Sequence, residues 1–407
     1  MAAIAKRVRY ATNPIEEDDK LAMKLERNGR KIIKLNRGDP AAYFPTPKYT
    51  IDAYISALKE GRTSYIDVRG LGELREAVAK RYKRCYNLSV DGETDVLITN
   101  GVSEAIIYLN ATLVNSADKA VLFRPYYPIY MSGLGIFDGK AVMERYYEED
   151  NWNIDVDRLN RRMKTDMRSK RHAKYMIVTN PNNPTGTVLR GSVLEDLVEL
   201  ANEYKLFLIS DEIYDELVYN GAKFTSISKL AKGMPYMILN GASKGLDATG
   251  FRVGFMIVPE DDRLSNLVKE GIADFAQTRL SVNTPAQYAV AEAINNQKEH
   301  KVAVTKLVKQ IETRANYAAK LVNESQYMRT VIPNGAYYIL PKLNMDMLKI
   351  RDDTEFARKL LIEEGVQIIR GSGFGEKGHV RIVVLPPKEI LESAIDRIDR
   401  FCRHHSK

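Results

Sequence analysis

The chain has few of the features that mark membrane, secreted or repeat proteins. It contains no uninterrupted apolar run of about 18 residues, which a membrane-spanning helix needs. Its first twenty residues include no apolar segment typical of a secretory signal. Only Cys85 and Cys402 are cysteines among 407 residues, and their separation matches no metal-binding or redox motif. We therefore expect a cytoplasmic protein with reduced thiols, no membrane partner and no metal site.

The chain also lacks a dense tract of one charge. The formal net charge is +8, but the 61 lysines and arginines are spread along the sequence. The densest basic run, RSKRHAK at 168–174, precedes an apolar strand and is typical of a solvated loop. We therefore expect no nucleic-acid partner, and a general attraction for anionic small molecules instead.

Between residues 94 and 258, short apolar runs alternate with amphipathic helical segments. Several of the runs are rich in β-branched residues, and they occupy 95–99, 120–123, 175–179, 206–210, 236–240 and 254–258. Such alternation predicts an α/β fold with a mostly parallel sheet covered by helices on both faces.

After residue 260 the pattern changes. Long helical segments precede short strands and further helices, at 261–279, 284–298, 299–323, 336–340, 354–364, 366–369, 379–385 and 387–403. The length of the chain also favours two packed lobes. We therefore predict a smaller α+β lobe at the C-terminal end, to which residues 1 to about 35 contribute unless they belong with a partner subunit.

Five polar side chains follow the ends of predicted strands in the middle of the chain. They are Asn183, Asp211, Tyr214, Lys244 and Arg252. Because ligands of parallel sheets bind at the carboxyl ends of the strands, we expect these side chains to converge. An amine, a carboxylate, a phenol, an amide and a guanidinium are the groups needed to hold a phosphorylated pyridine aldehyde.

Each of these residues also has an ordinary structural interpretation. Lys244 alone could be a surface lysine, whereas a nearby cation such as Arg252 would lower its pKa for Schiff-base chemistry. Asp211 could cap a helix or pair with a protonated pyridine nitrogen. Tyr214 would share a helical face with Asp211 if EIYDEL begins a helix, and its hydroxyl could then meet a ring oxygen. Asn183 lies in a proline-rich turn that would present its amide.

Four further residues could complete such a site. The strand-to-helix connection at Val102 and Ser103 offers an anion site of backbone N–H groups and a hydroxyl, although any capped helix after a strand resembles it. Tyr127 lies between prolines and could be a surface turn or a stacking platform. Arg381 lies within an apolar strand, where it needs either a structural salt bridge or a substrate carboxylate.

Seven segments together resemble the class I/II aminotransferases of pyridoxal-phosphate fold type I. They are LNRGDP (35–40), GLGELREAVA (70–79), NPNNPTG (180–186), SDEIYDELVY (210–219), NGASK (240–244), TGFRVGF (249–255) and HVRIV (379–383). The resemblance runs from about residue 31 to 400. It implies a mostly parallel seven-stranded sheet, with an N-terminal arm at 1–45, a large cofactor-binding domain at 46–285 and a small C-terminal domain at 286–407.

The resemblance also implies a role for each candidate residue. Lys244 would bind the aldehyde of pyridoxal 5′-phosphate covalently, and Asp211 would pair with the pyridine nitrogen. The remaining cofactor contacts would come from Tyr214 and Asn183 at the ring oxygen, Tyr127 on the ring face, and Arg252, Ser103 and the Val102 amide at the phosphate. Arg381 and Gly38 would form the substrate site together with Asn183. Tyr65 matches a tyrosine that relatives donate to the phosphate of the neighbouring subunit, which implies a homodimer.

Two positions depart from the family pattern. Gly241 replaces a phosphate-binding serine that many relatives carry, and the adjacent Ser243 need not substitute for it. Arg37 replaces an apolar residue near the substrate; it could point to solvent or meet the distal carboxylate of glutamate and 2-oxoglutarate.

The segments at 279–294 and 333–344 resemble the alanine (glutamate–pyruvate) aminotransferase branch most. We therefore predict a ping-pong transamination between an L-amino acid, with alanine the first choice, and 2-oxoglutarate. The alternatives are an aspartate or aromatic aminotransferase, a C–S β-lyase on the same fold, and a transcription regulator. The last needs a DNA-binding module, for which the roughly 35 residues ahead of the α/β region are too few.

Overall fold

The computed structural model describes residues 4–259 and 262–407. Its α-helices are α1 (Asp19–Arg27), α2 (Lys48–Lys59), α3 (Gly72–Tyr86), α4 (Val102–Leu113), α5 (Pro128–Ile136), α6 (Val156–Asp166), α7 (Gly191–Glu203), α8 (Ala242–Gly245), α9 (Arg263–Gln277), α10 (Thr284–Asn295), α11 (Gln297–Glu324), α12 (Asp353–Glu364) and α13 (Lys388–His404). Its strands are β1 (Ile33–Lys34), β2 (Val96–Thr99), β3 (Lys119–Arg124), β4 (Lys140–Tyr147), β5 (Asn153–Ile154), β6 (Ala173–Thr179), β7 (Phe207–Asp211), β8 (Tyr236–Gly241), β9 (Gly254–Ile257), β10 (Met328–Arg329), β11 (Tyr338–Ile339), β12 (Lys342–Leu343), β13 (Val366–Gln367), β14 (Ile369–Arg370) and β15 (Val380–Val383).

The large sheet has the order β2-β9-β8-β7-β6-β3-β4-β5. The pairs β3–β4, β3–β6, β6–β7 and β7–β8 are parallel, whereas β9 runs antiparallel to both of its neighbours. The prediction of a mostly parallel sheet is therefore confirmed. The sheet has eight strands instead of the predicted seven, because the two-residue β5 adds an antiparallel edge next to β4.

The central strands are buried on both faces. In β7, Leu208 packs into the apolar cluster on one side of the sheet, and Phe207 and Ile209 pack into the cluster on the other side. This division follows from the two-residue repeat of a strand. Helices on both sides supply the rest of each cluster, as the near-continuous apolar runs predicted.

The C-terminal lobe has its own apolar cluster, which includes Ile311 of α11, Phe356 of α12 and Ile382 of β15. The N-terminal strand β1 joins it by pairing in parallel with β13, where Ile33 lies opposite Val366. The helices predicted over 284–298, 299–323, 354–364 and 387–403 are present as α10 to α13. The helix predicted over 261–279 is α9, and position 261 lies outside the described residues, as do the first three of the predicted N-terminal arm. The domain limits at 45 and 285 remain predictions.

Candidate active site

A cavity of about 540 Å³ opens at the carboxyl ends of β6, β7 and β8. It brings together ten of the predicted site residues, which are Gly38, Val102, Ser103, Tyr127, Asn183, Asp211, Tyr214, Lys244, Arg252 and, from the C-terminal lobe, Arg381. Tyr65 is the exception, because it is 79% exposed and does not line the cavity. The parallel strands explain the convergence, since their carboxyl ends share one edge of the sheet.

Asp211 is the last residue of β7 and is almost fully buried. Tyr130 donates a hydrogen bond from Oη to its Oδ2 over 2.6 Å, and the backbone N–H of Ile213 donates to its Oδ1 over 3.2 Å. Burial raises the pKa of Asp211 to about 6, and these hydrogen bonds and the charge of Lys244 oppose that rise. The helix that EIYDEL could have begun, which would have placed Tyr214 on one face with Asp211, is not formed: the chain makes turns at 213–216.

Lys244 lies in the one-turn helix α8, with Nζ directed into the cavity. Nζ donates a hydrogen bond to the carbonyl oxygen of Gly38 over 2.7 Å. Burial lowers the pKa of Lys244 to about 8; the charges of Arg381 and Arg252 act in the same direction, and that of Asp39 opposes them. About a tenth of the amine is therefore neutral and nucleophilic at pH 7, far more than for a lysine of ordinary pKa.

Arg381 of β15 is buried, and its guanidinium is held by neutral groups only. Nη1 donates to Oδ1 of Asn183 over 2.9 Å, and Nη2 donates to the carbonyl oxygen of Asn36. Nε has no hydrogen-bond partner. Burial lowers the pKa of this guanidinium. The structural salt bridge considered from the sequence is absent among the described residues, so the charge of Arg381 is left for a ligand.

A second cationic region lies where α4 begins. The guanidinium of Arg252 donates to the carbonyl oxygens of Thr249 and Asn100, over 3.0 and 3.2 Å. It lies against Gly101, where a Cβ would be only 2.4 Å from Nη2. Gly101 also has a positive φ of 74°, so a glycine is required there. The first N–H groups of α4, at Val102 and Ser103, thus adjoin a fixed guanidinium, and this combination suits an anion.

Tyrosines line the remaining wall of the cavity. Tyr214 and Tyr338 share a hydrogen bond between their hydroxyls over 2.8 Å, and Tyr337 donates to the carbonyl oxygen of Gly38 over 3.0 Å. Tyr127 is half-buried and lines the cavity, as Ser103 does. At Gly38 a Cβ would lie 2.1 Å from Oη of Tyr338, so no larger residue fits without displacing that ring.

The backbone around Gly241 explains the missing serine. A Cβ at this position would lie 2.7 Å from the carbonyl oxygen of Val253 and 2.8 Å from Cα of Gly254. Two residues further along the chain, Ser243 lines the active-site cavity. Arg37 lies at the rim, 58% exposed; it donates to Asp19, and Nη2 is 3.8 Å from Oε1 of Glu16.

The sequence interpretation missed four residues of this site: Asn36, Asp39, Tyr130 and Tyr338. Tyr130 lies in the same segment as Tyr127, and Tyr338 lies in the segment 333–344 that resembles the alanine aminotransferase branch. Nothing in the local pattern separates a tyrosine that contacts a buried carboxylate of the site from one that fills a core.

A family model for aminotransferases of class I and II matches residues 30–398 of the chain. The chain belongs to the class I and II aminotransferases. It is therefore an enzyme, a transaminase, and the resemblance inferred from the seven segments is confirmed.

Individual aminotransferases match over nearly their full length. The glutamate-pyruvate aminotransferase AlaA of Escherichia coli K12 is 32% identical over 408 residues, which cover 96% of this chain and 98% of AlaA. The alanine aminotransferase of Mycobacterium tuberculosis H37Rv is 32% identical over 385 residues, covering 93% of this chain and 87% of that protein.

Solved aminotransferase structures share the fold. The alanine aminotransferase of Pyrococcus furiosus superposes with a TM-score of 0.91 at 36% identity, over 99% of this chain and all of that one. The aspartate aminotransferase of Thermus thermophilus, solved with maleate, gives a TM-score of 0.89 at 30% identity, over 98% and 100% of the two chains. The α/β fold predicted for an aminotransferase is thus confirmed.

Proposed function

We propose that this transaminase uses pyridoxal 5′-phosphate to move the amino group between L-alanine and 2-oxoglutarate by a ping-pong mechanism. One observation carries the proposal. Lys244, Asp211 and Arg381 line one cavity, and within the described residues none of them forms an ion pair. Burying three charges without pairing them is costly unless a ligand completes them.

The residues present fit the groups of this cofactor. Asp211 suits a protonated pyridine nitrogen, since among the described residues its carboxylate accepts hydrogen bonds from Tyr130 and Ile213 only. The α4 N-terminus and Arg252 suit the phosphate. The hydroxyl of Tyr214 and the amide of Asn183 suit the ring oxygen, and the face of Tyr127 suits the ring. When bound, the cofactor supplies an electron-withdrawing ring that eases loss of the Cα proton.

The chain's own groups then perform the positioning and the proton transfer. Arg381 binds the α-carboxylate of the amino acid, with its guanidinium fixed by Asn183 and the Asn36 carbonyl. Lys244 Nζ, in its neutral form, accepts the proton from the substrate Cα. The Gly38 carbonyl orients this amine through the 2.7 Å hydrogen bond. Hydrolysis releases the first 2-oxo acid, and a second 2-oxo acid takes up the amino group in the reverse sequence.

The choice of alanine rests on the relatives. Two of the matching proteins are a glutamate-pyruvate and an alanine aminotransferase. An aspartate aminotransferase of Bacillus subtilis also matches, at 31% identity, so aspartate remains the first alternative. At the rim of the cavity, Arg37 is the candidate contact for the distal carboxylate of glutamate and 2-oxoglutarate.

The proposal includes a homodimer. Tyr65 is 79% exposed, and α2 also exposes Ile51, Ile55 and Leu58. These three apolar side chains follow a helical spacing of four and three residues, so they share one face. An interface along α2 would cover this face and would bring Tyr65 to the phosphate site of the partner.

The test is a spectral titration of the purified chain reconstituted with pyridoxal 5′-phosphate. L-alanine, L-glutamate, L-aspartate and L-phenylalanine are added separately, without a 2-oxo acid. We expect alanine and glutamate to shift the visible absorbance of the bound cofactor to shorter wavelength, and Lys244→Ala to show no such shift. A larger response to aspartate or phenylalanine would replace alanine in the proposal. Steady release of pyruvate and ammonia from β-substituted amino acids would identify a lyase.

A further inference from the structure

A second cavity, of about 380 Å³, lies behind the active site. It lies between α3, the junction of α10 with α11, and the segment that carries Lys244. None of its lining residues belongs to the active-site cavity. Its volume falls within the range of about 300–1,000 Å³ that is typical of small-molecule sites.

Two chain segments separate the two cavities. In the segment 241–246, Ser243 and Lys244 line the active site, whereas Gly241, Ala242, Gly245 and Leu246 line the second cavity. In the segment 213–216, Ile213 and Tyr214 line the active site, whereas Asp215 and Glu216 line the second cavity. The two segments touch behind the lysine, since a Cβ on Gly245 would lie 2.4 Å from Oε2 of Glu216.

The inner end of the second cavity is polar and incompletely paired. Arg81 is buried, and its Nη2 lies 2.7 Å from Oδ2 of Asp215 and 3.4 Å from Oε2 of Glu216. Its Nη1 is buried and has no hydrogen-bond partner in the part of the chain that the structure describes. Glu216 is shared with His300, whose Nε2 is 2.8 Å from Oε1. Within the described residues, a residue that lines the cavity thus has one guanidinium nitrogen that is buried without a partner.

The rest of the cavity combines exposed cations with an apolar wall. Arg84 and Lys301 are exposed, and in the part of the chain that the structure describes neither has an ion-pair partner. The cavity wall also includes aliphatic and aromatic side chains, such as Val304 on α11 and Phe255 on β9. A ligand with a carboxylate and a short apolar body matches both features.

We propose that this cavity is a second binding site for small apolar carboxylates, and that its occupancy is transmitted to the active site through the segments 213–216 and 241–246. The cations attract the carboxylate, and the apolar wall takes up the hydrocarbon part. A ligand in contact with Gly245 and Glu216 bears directly on the backbone that positions Lys244 and Tyr214. Such a coupling requires that the ligand binds the two arrangements of this backbone unequally.

The binding test is isothermal titration calorimetry of the cofactor-loaded enzyme with 4-methylpentanoate. We expect saturable binding of one molecule per chain, and none of the uncharged 4-methylpentanamide. Val304→Trp fills the cavity and should abolish binding. Val302→Trp is the matched control, because this residue lies on the same helix, is 66% exposed and does not line the cavity. Arg84→Gln with Lys301→Gln should weaken binding on the order of tenfold.

Arg381→Leu tells the two cavities apart. This variant should bind 4-methylpentanoate as the parent does. If Arg381→Leu instead lost binding and Val304→Trp retained it, the probe would be bound in the active site and the proposal would be overturned. Absence of binding to the parent enzyme would also overturn it. Neither result depends on the transamination activity, so the proposed function is tested separately.

The coupling is tested by the transamination rate with and without the probe. We expect 4-methylpentanoate to change kcat/KM at least about twofold in the parent enzyme and in Val302→Trp, but not in Val304→Trp. Equal inhibition in all three proteins would mean competition at the active site. Binding without any effect on the rate would remove the coupling from the proposal.

Discussion

Tyr130 holds Asp211 from the side, with its Oη 2.6 Å from Oδ2 of the carboxylate and 2.7 Å from Oγ1 of Thr179. Tyr130 is buried in α5, and Thr179 ends the neighbouring strand β6. The carboxylate is therefore fixed across two strands before any ligand binds. Its other oxygen accepts from the N–H of Ile213, and the positive charge of Lys244 acts on the carboxylate electrostatically.

Tyr130→Phe should raise the pKa of Asp211 above its present value of about 6, because the hydrogen bond from Tyr130 opposes the effect of burial. The ionised carboxylate is the form that pairs with a pyridine nitrogen. As pH is lowered, cofactor binding should therefore weaken at a higher pH in Tyr130→Phe than in the parent. At pH 6 we expect pyridoxal 5′-phosphate to bind about tenfold more weakly. Binding is measured by titrating the apoprotein between pH 5 and 8. The control is Tyr126→Phe, which alters a half-buried tyrosine that does not line the cavity and should leave the pH profile of binding unchanged. Equal profiles for the parent and Tyr130→Phe would contradict the prediction.

The pKa of Lys244, lowered to about 8, predicts how the apoprotein captures its cofactor. The neutral amine attacks the aldehyde, so the rate of covalent capture should rise with pH up to about 8 and then level off. Asp39 opposes the lowering, and Asp39→Asn should move this rise to lower pH. Asparagine keeps the oxygen that accepts from Thr249 Oγ1 over 2.7 Å. Stopped-flow absorbance measures the rate, with Asp52→Asn on the exposed face of α2 as control. A shift to higher pH in Asp39→Asn would refute this account.

The sequence predicted the central strands well because their apolar runs are buried on both faces. It missed β4, because the residues KAVMERYY are mostly half-buried and form neither a long apolar run nor a regular alternation of apolar and polar residues. A helix beginning at EIYDEL was one possibility because the segment contains ordinary helix formers, whereas the structure has turns at 213–216.

For the site, the sequence named the residues that follow strand ends, because the sheet topology alone brings them together. It could not name Tyr338, whose hydroxyl contacts Tyr214 across 124 positions of the chain. The second cavity was also beyond prediction, since Arg81, Glu216 and Val304 belong to three distant segments that only tertiary packing joins.

Gly241→Ser should destabilise the protein instead of adding a phosphate ligand. The new Cβ would lie within 2.8 Å of the backbone at Val253 and Gly254, so the strands β8 and β9 would have to separate locally. We expect a loss of about 1–3 kcal/mol in the free energy of unfolding and no gain in cofactor affinity. Urea unfolding and a cofactor titration measure the two. Gly191→Ser is the matched control, because no atom lies within 4 Å of its Cβ position. Tighter cofactor binding by Gly241→Ser would show that the backbone yields.

Glu212 predicts a pH dependence of stability that is separate from catalysis. Glu212 is fully buried, and burial raises its pKa to about 8. Its Oε1 accepts hydrogen bonds from Ser226 and from the N–H of Ile227, whereas Oε2 has no partner among the described residues. The native state therefore keeps a proton that the unfolded chain loses above the ordinary glutamate pKa of 4.5. The stability contributed by this group is fully present below pH 4.5 and is lost as pH rises through about 8.

Glu212→Gln cannot ionise, so its stability should decline less between pH 5.5 and 8. We expect the difference in unfolding free energy between these two pH values to shrink by at least about 1 kcal/mol relative to the parent. Urea midpoints at fixed protein concentration measure it. The control Glu195→Gln, on the exposed side of α7, should behave as the parent does. If the stability of Glu212→Gln depended on pH as strongly as that of the parent, the effect would belong to other groups.

Arg37→Leu tests the choice of acidic substrates. Arg37 lies at the cavity rim and is 58% exposed, and Asp19 already accepts a hydrogen bond from its guanidinium. A substrate carboxylate must therefore compete with Asp19 in a solvated place, which limits the energy it gains. We expect KM for glutamate and 2-oxoglutarate to rise about two- to fivefold, while KM for alanine, which has no distal carboxylate, stays unchanged. Steady-state kinetics with each substrate measure these KM values. The control is Lys34→Leu, which removes an exposed cation of the same segment that lies outside the cavity. Equal losses for alanine and glutamate, or none for either, would mean that Arg37 serves only to hold α1 through Asp19.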